Sequence, residues 1–509
     1  MHPTMTRRQA LRASCGAAIA VTGAMALAAC GETQVVTVEK VVEKEVPVET
    51  IVTKEVPVEK VVTREVVKEV TAQRGAVKIE FHHDHTSGPR GSAMSWALER
   101  FEQTNPNILI RFVPQPEDFL DSFAIKQAAG TTGELALLSG YFMTAWVKSG
   151  AFTQINESLK RNPAWDPSAI FHTPDEFGLV YWNRVPSPHL DPVTGPLWGL
   201  PYQGNINAYS YNLDIMDSAG IDFPSEGSWG LETEYLDALT KATDPEIDQW
   251  GMRMTGAHHQ FVQWWPLALA DRDNLMPYMN EDGTHYECLD DGGDRGLQLC
   301  VDMIQKHKVS FAQEAAKEIS GEFSSPFVAG KVLVDMQGGA TGYNVGRIKD
   351  RFTWGMGPTP EGPHGPVPTI FGGQAHTATN TAQKTGTVEE SVEVLLFFAG
   401  EEVQTRIAID RGSFPMYKAV LDSPEFAAAP PENHVYWKRV ANRTDHRHGQ
   451  SSHPGRVEII RAAGWDSMIN GEESLDEGVP KLIAAKDRVL QNELERFNEI
   501  KTWAESLPT

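Results

Sequence analysis

The chain is short of positive charge. It has 45 Lys and Arg against 68 Asp and Glu, a formal net charge of −23. That balance excludes the basic face a nucleic-acid binder needs. Cysteine is scarce, with four in 509 residues. The apolar run from Ala13 to Ala29 is shorter than the about 20 residues of a membrane-spanning helix. Enzyme signatures are missing too: there is no G-x-S-x-G, no H-E-x-x-H and no phosphate loop ending in Lys-Ser/Thr. Carboxylates are abundant, so a glycosidase-like pair is not excluded by counting. What remains is ordinary for a folded chain, with 41% hydrophobic and 9% aromatic residues. The length suggests two domains plus extras.

The first thirty residues have a purpose of their own. Arg7, Arg8 and Arg12 precede the apolar run, which ends in small residues as "LAAC". That order forms an export signal over 1–29. "TRRQAL" resembles a twin-arginine signal. "LAAC" before Gly31 resembles a bacterial lipobox, in which Cys30 receives lipid. The implied location is extracytoplasmic, anchored by lipid to the outer face of a bacterial cell membrane; an ordinary leader or a retained anchor is the alternative. Cys15 leaves with the leader, so Cys288 and Cys300 remain, flanking "LDDGGDRGLQL". Outside the cytoplasm such a pair can oxidise to a disulfide, and two buried thiols are the other outcome.

Residues 30–75 repeat a ten-residue unit at 41–50, 51–60 and 61–70. Pro47 and Pro57 interrupt any helix, and interleaved Lys and Glu oppose collapse. With no aromatic residue, the segment buries too little to offset its ordering entropy. It reads as a tether, with a self-associating β-stalk as the alternative. About 40 residues at roughly 3.1 Å each reach on the order of 120 Å.

From Ala76 the pattern changes. "AVKIEFHHDH" alternates as a strand, and "SAMSWALERFEQTNP" places Met94, Trp96, Leu98 and Phe101 at helical spacing. "NILIRFVPQ" and "ELALLSG" are further strands, separated by the helical "DSFAIKQAAGTTG". Alternating strands and helices predict an α/β fold with parallel pairing and helices on both faces. Ligands bind such sheets at the carboxyl ends of the strands.

Specific segments then accumulate in order. "GPLWGLPYQGNINAYSYNLDIMDSAGIDFP", "FSSPFVAGKVLVDMQGGATGYNVGRI", "FTWGMGPTPEGPHGPVPTIFGGQAHTAT" and "VEVLLFFAGEEVQTRIAIDRGSFPMYKAV" follow one another. Together they resemble the extracellular solute-binding proteins, family 1, of sugar-type ABC importers. The resemblance implies a two-lobe periplasmic-binding-protein-like fold with crossings near 204–207, 366–371 and 412–416. The first lobe would be 76–205 plus 366–412, and the second 206–365 plus 413–509. It further implies a cleft for carbohydrate between the lobes, a membrane permease as partner, a monomer, no enzymatic activity and no cofactor. A polyol, a glycerol phosphodiester or a peptide is the nearer alternative ligand, and a secreted glycoside hydrolase the more distant reading.

Sugar clefts combine flat rings with paired polar groups. The family places stacking rings where this chain has Trp264 and Tyr343, with His259 and Gln263 beside the former. Of the Trp264–Trp265 pair, Trp264 is expected in the cleft and the other in the core. Gln203 and Asn205 fall at the first crossing, Tyr141 after the third strand and Gln374 after the return crossing. Asp84 and His85, at the end of "HHDH", are expected to line the cleft. A metal is not expected there, because alternation along a strand sets His82 and Asp84 opposite His83 and His85. His446, His448 and His453 read as a solvated loop.

Overall fold

The computed structural model describes residues 75–506, apart from 116–118, 140–145, 172–195, 207, 255–260, 272–278, 281, 338–341, 368–370, 432–434 and 442–463. The leader, Cys30, the repeat, Tyr141, His259 and the histidines of 446–453 lie outside the described residues.

The first lobe begins with β1 (Val77–His83), α1 (Gly88–Thr104), β2 (Ile108–Pro114), α2 (Phe119–Ala129) and β3 (Leu135–Ser139). In β1, Ile79 and Phe81 are fully buried while Lys78 is exposed, as a two-residue period requires. In α1, Ala93, Met94, Ala97 and Phe101 form the buried stripe, with Trp96 and Leu98 half-buried at its margins. Asn105 ends this helix by donating its side-chain amide to Phe101 O at 3.1 Å, and Pro106 cannot continue it. β4 (Gly199–Ile206) then leads out of the lobe.

The second lobe is built on β5 (Ala208–Asn212), α3 (Leu213–Ala219), α4 (Glu234–Ala242), β6 (Trp250–Met252), α5 (Phe261–Leu269), α6 (Asp294–Gln305), β7 (Val332–Gln337), α7 (Gly342–Ile348) and β8 (Trp354–Gly357). Its sheet runs β6-β7-β5-β8, with β6 parallel to β7 and β5 antiparallel to both neighbours. All five residues of β5 are buried. Asn212 at its end caps α3, accepting from Ile215 N at 3.1 Å.

Helices α5 and α6 fill this lobe's core with Trp264, Trp265, Leu297 and Cys300. Cys288 and Cys300 are wholly buried thiols and not a disulfide, which corrects the expected bridge. Apolar burial pushes the Cys300 thiol well above its usual range, so it stays protonated and inert.

The chain returns through β9 (Phe371–Ala378), then α8 (Val388–Ala399) and α9 (Glu401–Ile409) pack Val392, Leu395, Phe398, Val403 and Ile407 on the first core. The completed sheet runs β2-β1-β3-β9-β4. β1 is parallel to β2 and β3, but β9 is antiparallel to β3 and β4. The parallel pairing expected of the first strands holds for β1, β2 and β3, and β9 joins them antiparallel. The reason is its point of entry: Gln374 lies opposite Ser139 and Ala378 opposite Leu135, so β9 enters at the carboxyl edge and runs down the sheet. Finally α10 (Leu475–Asn492) packs Leu482 and Leu490 on the second lobe's core. There Asp487 accepts from Tyr286 N at 2.7 Å and contacts His285 Nδ1 at 2.9 Å.

Candidate functional site

The two sheets meet where the chain passes between them. β4 pairs with β9 through Phe371–Ile206, Gly372–Asn205, Gly373–Gly204 and Gln374–Gln203. On the other side of β4, Gly204 N donates to Phe414 O at 2.8 Å and Phe414 N to Gly204 O at 3.2 Å. The three crossing segments are thus one hydrogen-bonded belt. A Cβ at Gly204 would lie 2.7 Å from Met416 Sδ and 2.9 Å from Phe414 Cδ1, so only glycine lets the third segment close on the first.

Gln404 fixes the belt from behind. It is fully buried; its Nε2 donates to Tyr202 O at 2.6 Å and Phe398 O at 3.0 Å, and its Oε1 accepts from Met416 N at 2.7 Å. One side chain so joins β4, the end of α8 and the third crossing. It is the glutamine of the "E-x-Q" turn in "GEEVQ".

Strand direction decides what faces the belt. β3 ends at Ser139 opposite Gln374, β7 ends at Gln337 opposite Ala208, and β8 ends at Gly357 opposite Tyr209. The carboxyl ends of both sheets therefore converge on the same three segments, the edge at which open α/β sheets bind ligands.

Several expected site residues gather at this edge. Gln203 is 5% exposed, donates to Gln374 Oε1 and accepts from Ser413 Oγ, so it ties all three crossings together. Asn205 stands in β4 opposite Gly372. Gln374 is half-buried at the start of β9. Gln263 and Tyr343 belong to α5 and α7, while their side chains, like Asn205's, lie outside what is described. Trp264 departs from expectation. It is 2% exposed beside Trp265 in the second lobe's core, not on an open cleft wall. The cause is α5 itself, which is buried continuously from Trp264 to Leu269 and so offers no wet side there.

At the end of β1 the "HHDH" residues separate. His82 turns to α2, its Nε2 2.6 Å from Glu80 Oε1 and its Nδ1 3.2 Å from Lys126 Nζ. His83 and His85 turn to the opposite face, against Tyr202, which stacks on His376 with ring centroids 3.8 Å apart. His83 Nε2 and His376 Nε2 are 3.0 Å apart. Burial, reinforced by neighbouring rings, pushes His83 and His376 well below the usual imidazole range. Burial and the Arg90 guanidinium hold His85 at about 2. Asp84 is raised by burial, with Arg90 opposing. This face of the sheet is a packed cluster of buried rings, with His83, Tyr202 and His376 each 1% exposed. His376, Tyr202 and Gln404 were not picked out in the sequence; for His376 the signal was a lone histidine in the small-residue strand "GGQAHTAT".

Comparison with known proteins agrees with this geometry. A model of the bacterial extracellular solute-binding proteins matches residues 86–405. A binding protein of Brucella abortus (strain 2308) is 21% identical over 345 residues, covering 65% of this chain and 74% of that protein. Among solved structures, the sugar-binding protein MalE of Xanthomonas citri superposes with a TM-score of 0.64 at 17% identity, over 83% of this chain and 99% of that one. The ABC substrate-binding protein Lmo0181 of Listeria monocytogenes, solved in complex with cycloalternan, gives 0.63 at 15%, over 83% and 98%. Two lobes, three crossings and a family match across more than half its length make this chain a member of the bacterial extracellular solute-binding proteins.

Proposed function

We propose that the chain is the solute-capturing component of an ABC importer and that its solute is a carbohydrate, held between the lobes and passed to a membrane permease. The observation that carries this reading is the convergence of both sheets' carboxyl ends on a belt bearing Gln203, Asn205 and Gln374. Amides there match the donor and acceptor pairs of sugar hydroxyls. The cycloalternan complex of the Listeria protein supports the choice of solute class. Asp84, Tyr141, His259, Gln263 and Tyr343 complete the proposed contacts, with Tyr343 as the stacking ring; His85, expected beside Asp84, is 5% exposed with both ring nitrogens buried and is not among them. The lobes are proposed as 76–205 plus 366–412 and 206–365 plus 413–509.

Cys30 is proposed as the lipid site and 30–75 as the leash that lets the lobes reach both solute and permease. Mass spectrometry of membrane-extracted protein should find a diacylglyceryl group on Cys30; cleavage elsewhere would remove the anchor from the scheme. The solute is tested by thermal shift over sugars, polyols, glycerol phosphodiesters and peptides, since a ligand stabilises by RT ln(1 + [L]/Kd). Sugars alone should raise the melting temperature. A shift confined to another class, or turnover of any sugar, would overturn the reading.

A further inference from the structure

The ring-lined face buries polar atoms that the proposed carbohydrate contacts, which use only the exposed part of Asp84, leave unused. β1 ends at His83, so Asp84 escapes strand alternation and comes round to the side of His83 and His85. Its Oδ1 lies 3.7 Å from His83 Nδ1 and 3.6 Å from His85 Nε2. One donor atom from each of the three residues falls within 4.8 Å of the others. Among the described residues, Asp84 Oδ1 and both ring nitrogens of His85 are buried with no hydrogen-bond partner, and His85 as a whole is 5% exposed. Leaving a buried polar atom unpaired is costly, so several in one place call for a shared partner.

His83 is already set for that partner. Its Nδ1 accepts the His85 amide hydrogen at 3.0 Å and therefore carries no proton. The proton sits on Nε2, which donates to His376 Nε2 at 3.0 Å. A ring whose far N–H is held by another side chain is the usual support behind a metal-bound histidine.

We propose that His83 Nδ1, Asp84 Oδ1 and His85 Nε2 bind a divalent ion of the zinc class. Two neutral imidazoles and one carboxylate suit such borderline ions better than calcium or magnesium. Ligands about 2.0–2.2 Å from a tetrahedral ion stand roughly 3.3–3.6 Å apart, so a small contraction and release of the His85 amide complete the set. The ion takes the buried oxygen of Asp84, whose side chain is 25% exposed through its other atoms, so the same carboxylate can still face the proposed solute.

The test omits sugar. The full chain is stripped with chelator and titrated with zinc chloride by calorimetry, with bound metal counted by elemental analysis. One zinc per chain is expected. His85→Ala and Asp84→Asn should each abolish it, and His376→Gln should weaken it about tenfold by loosening the His83 ring. Melting curves without zinc verify that each variant folds, and the near-isosteric Asp84→Asn serves if His85→Ala does not. A variant with His446, His448 and His453 all changed to alanine should bind as wild type. Absence of stoichiometric zinc would mean that water satisfies these atoms and would overturn the proposal. So would binding that survives Asp84→Asn, or binding lost in the triple variant.

Discussion

At the scale of single residues, the tryptophan pair of "QWWP" gives the sharpest contrast. Trp264 is packed in the core, so Trp264→Ala opens a cavity and should destabilise the empty protein by roughly 3–5 kcal/mol. Tyr343→Ala, at the proposed stacking ring, should leave that melting temperature nearly unchanged. It should weaken sugar binding by roughly 1–3 kcal/mol, about tenfold to a hundredfold. Calorimetry beside melting curves reads both, and the opposite pattern would exchange the two roles. The sequence could not rank Trp264 against Trp265, because a helix buried on every side carries no periodic signal for which ring is wet. Asp84 misled for a different reason. Alternation holds only while the strand lasts, and β1 ends one residue before it.

At the scale of elements, the belt and the α10 clip make separate claims. Gln404→Ala would strand two carbonyls and the Met416 amide in a fully buried place. A loss of roughly 3 kcal/mol in chemical denaturation is expected, and a change near zero would show that the belt closes without it. His285 bridges Asp290 and Asp487 at 2.9 Å each, joining α10 to the loop before α6. Burial alone would lower its pKa, but the hydrogen bonds and charges of both carboxylates outweigh that and raise it. Its stabilisation is therefore full below the ordinary imidazole pKa of about 6.5 and is lost as pH rises through the elevated folded value. The melting-temperature gap between wild type and His285→Ala should shrink on going alkaline; a gap that widens would reverse the sign. Of these elements the strands and α1 were legible from periods of two and 3.6. The direction of β9 was not, because an isolated strand does not record which edge of a sheet it enters.

At the scale of the whole molecule, two lobes and an order of segments were readable because several distant stretches each had to satisfy the same crossings. What the sequence could not supply was how those crossings touch, since pairing of Gly204 with Phe414 joins residues 210 positions apart. Small-angle scattering with and without bound sugar should show the 75–506 body contracting, and an unchanged radius of gyration with a tight ligand would count against capture by closure. The belt also has a mechanical meaning. Three tied segments act as springs in parallel, so their stiffnesses add and no single one serves as the pivot. A rotation of roughly 15° about that axis moves a point one strand-length away, about 17–20 Å, by on the order of 5 Å. Softening one segment should therefore broaden the distribution of opening angles, and a side chain at Gly204, which would press on Met416 and Phe414, is the substitution that separates the first segment from the third.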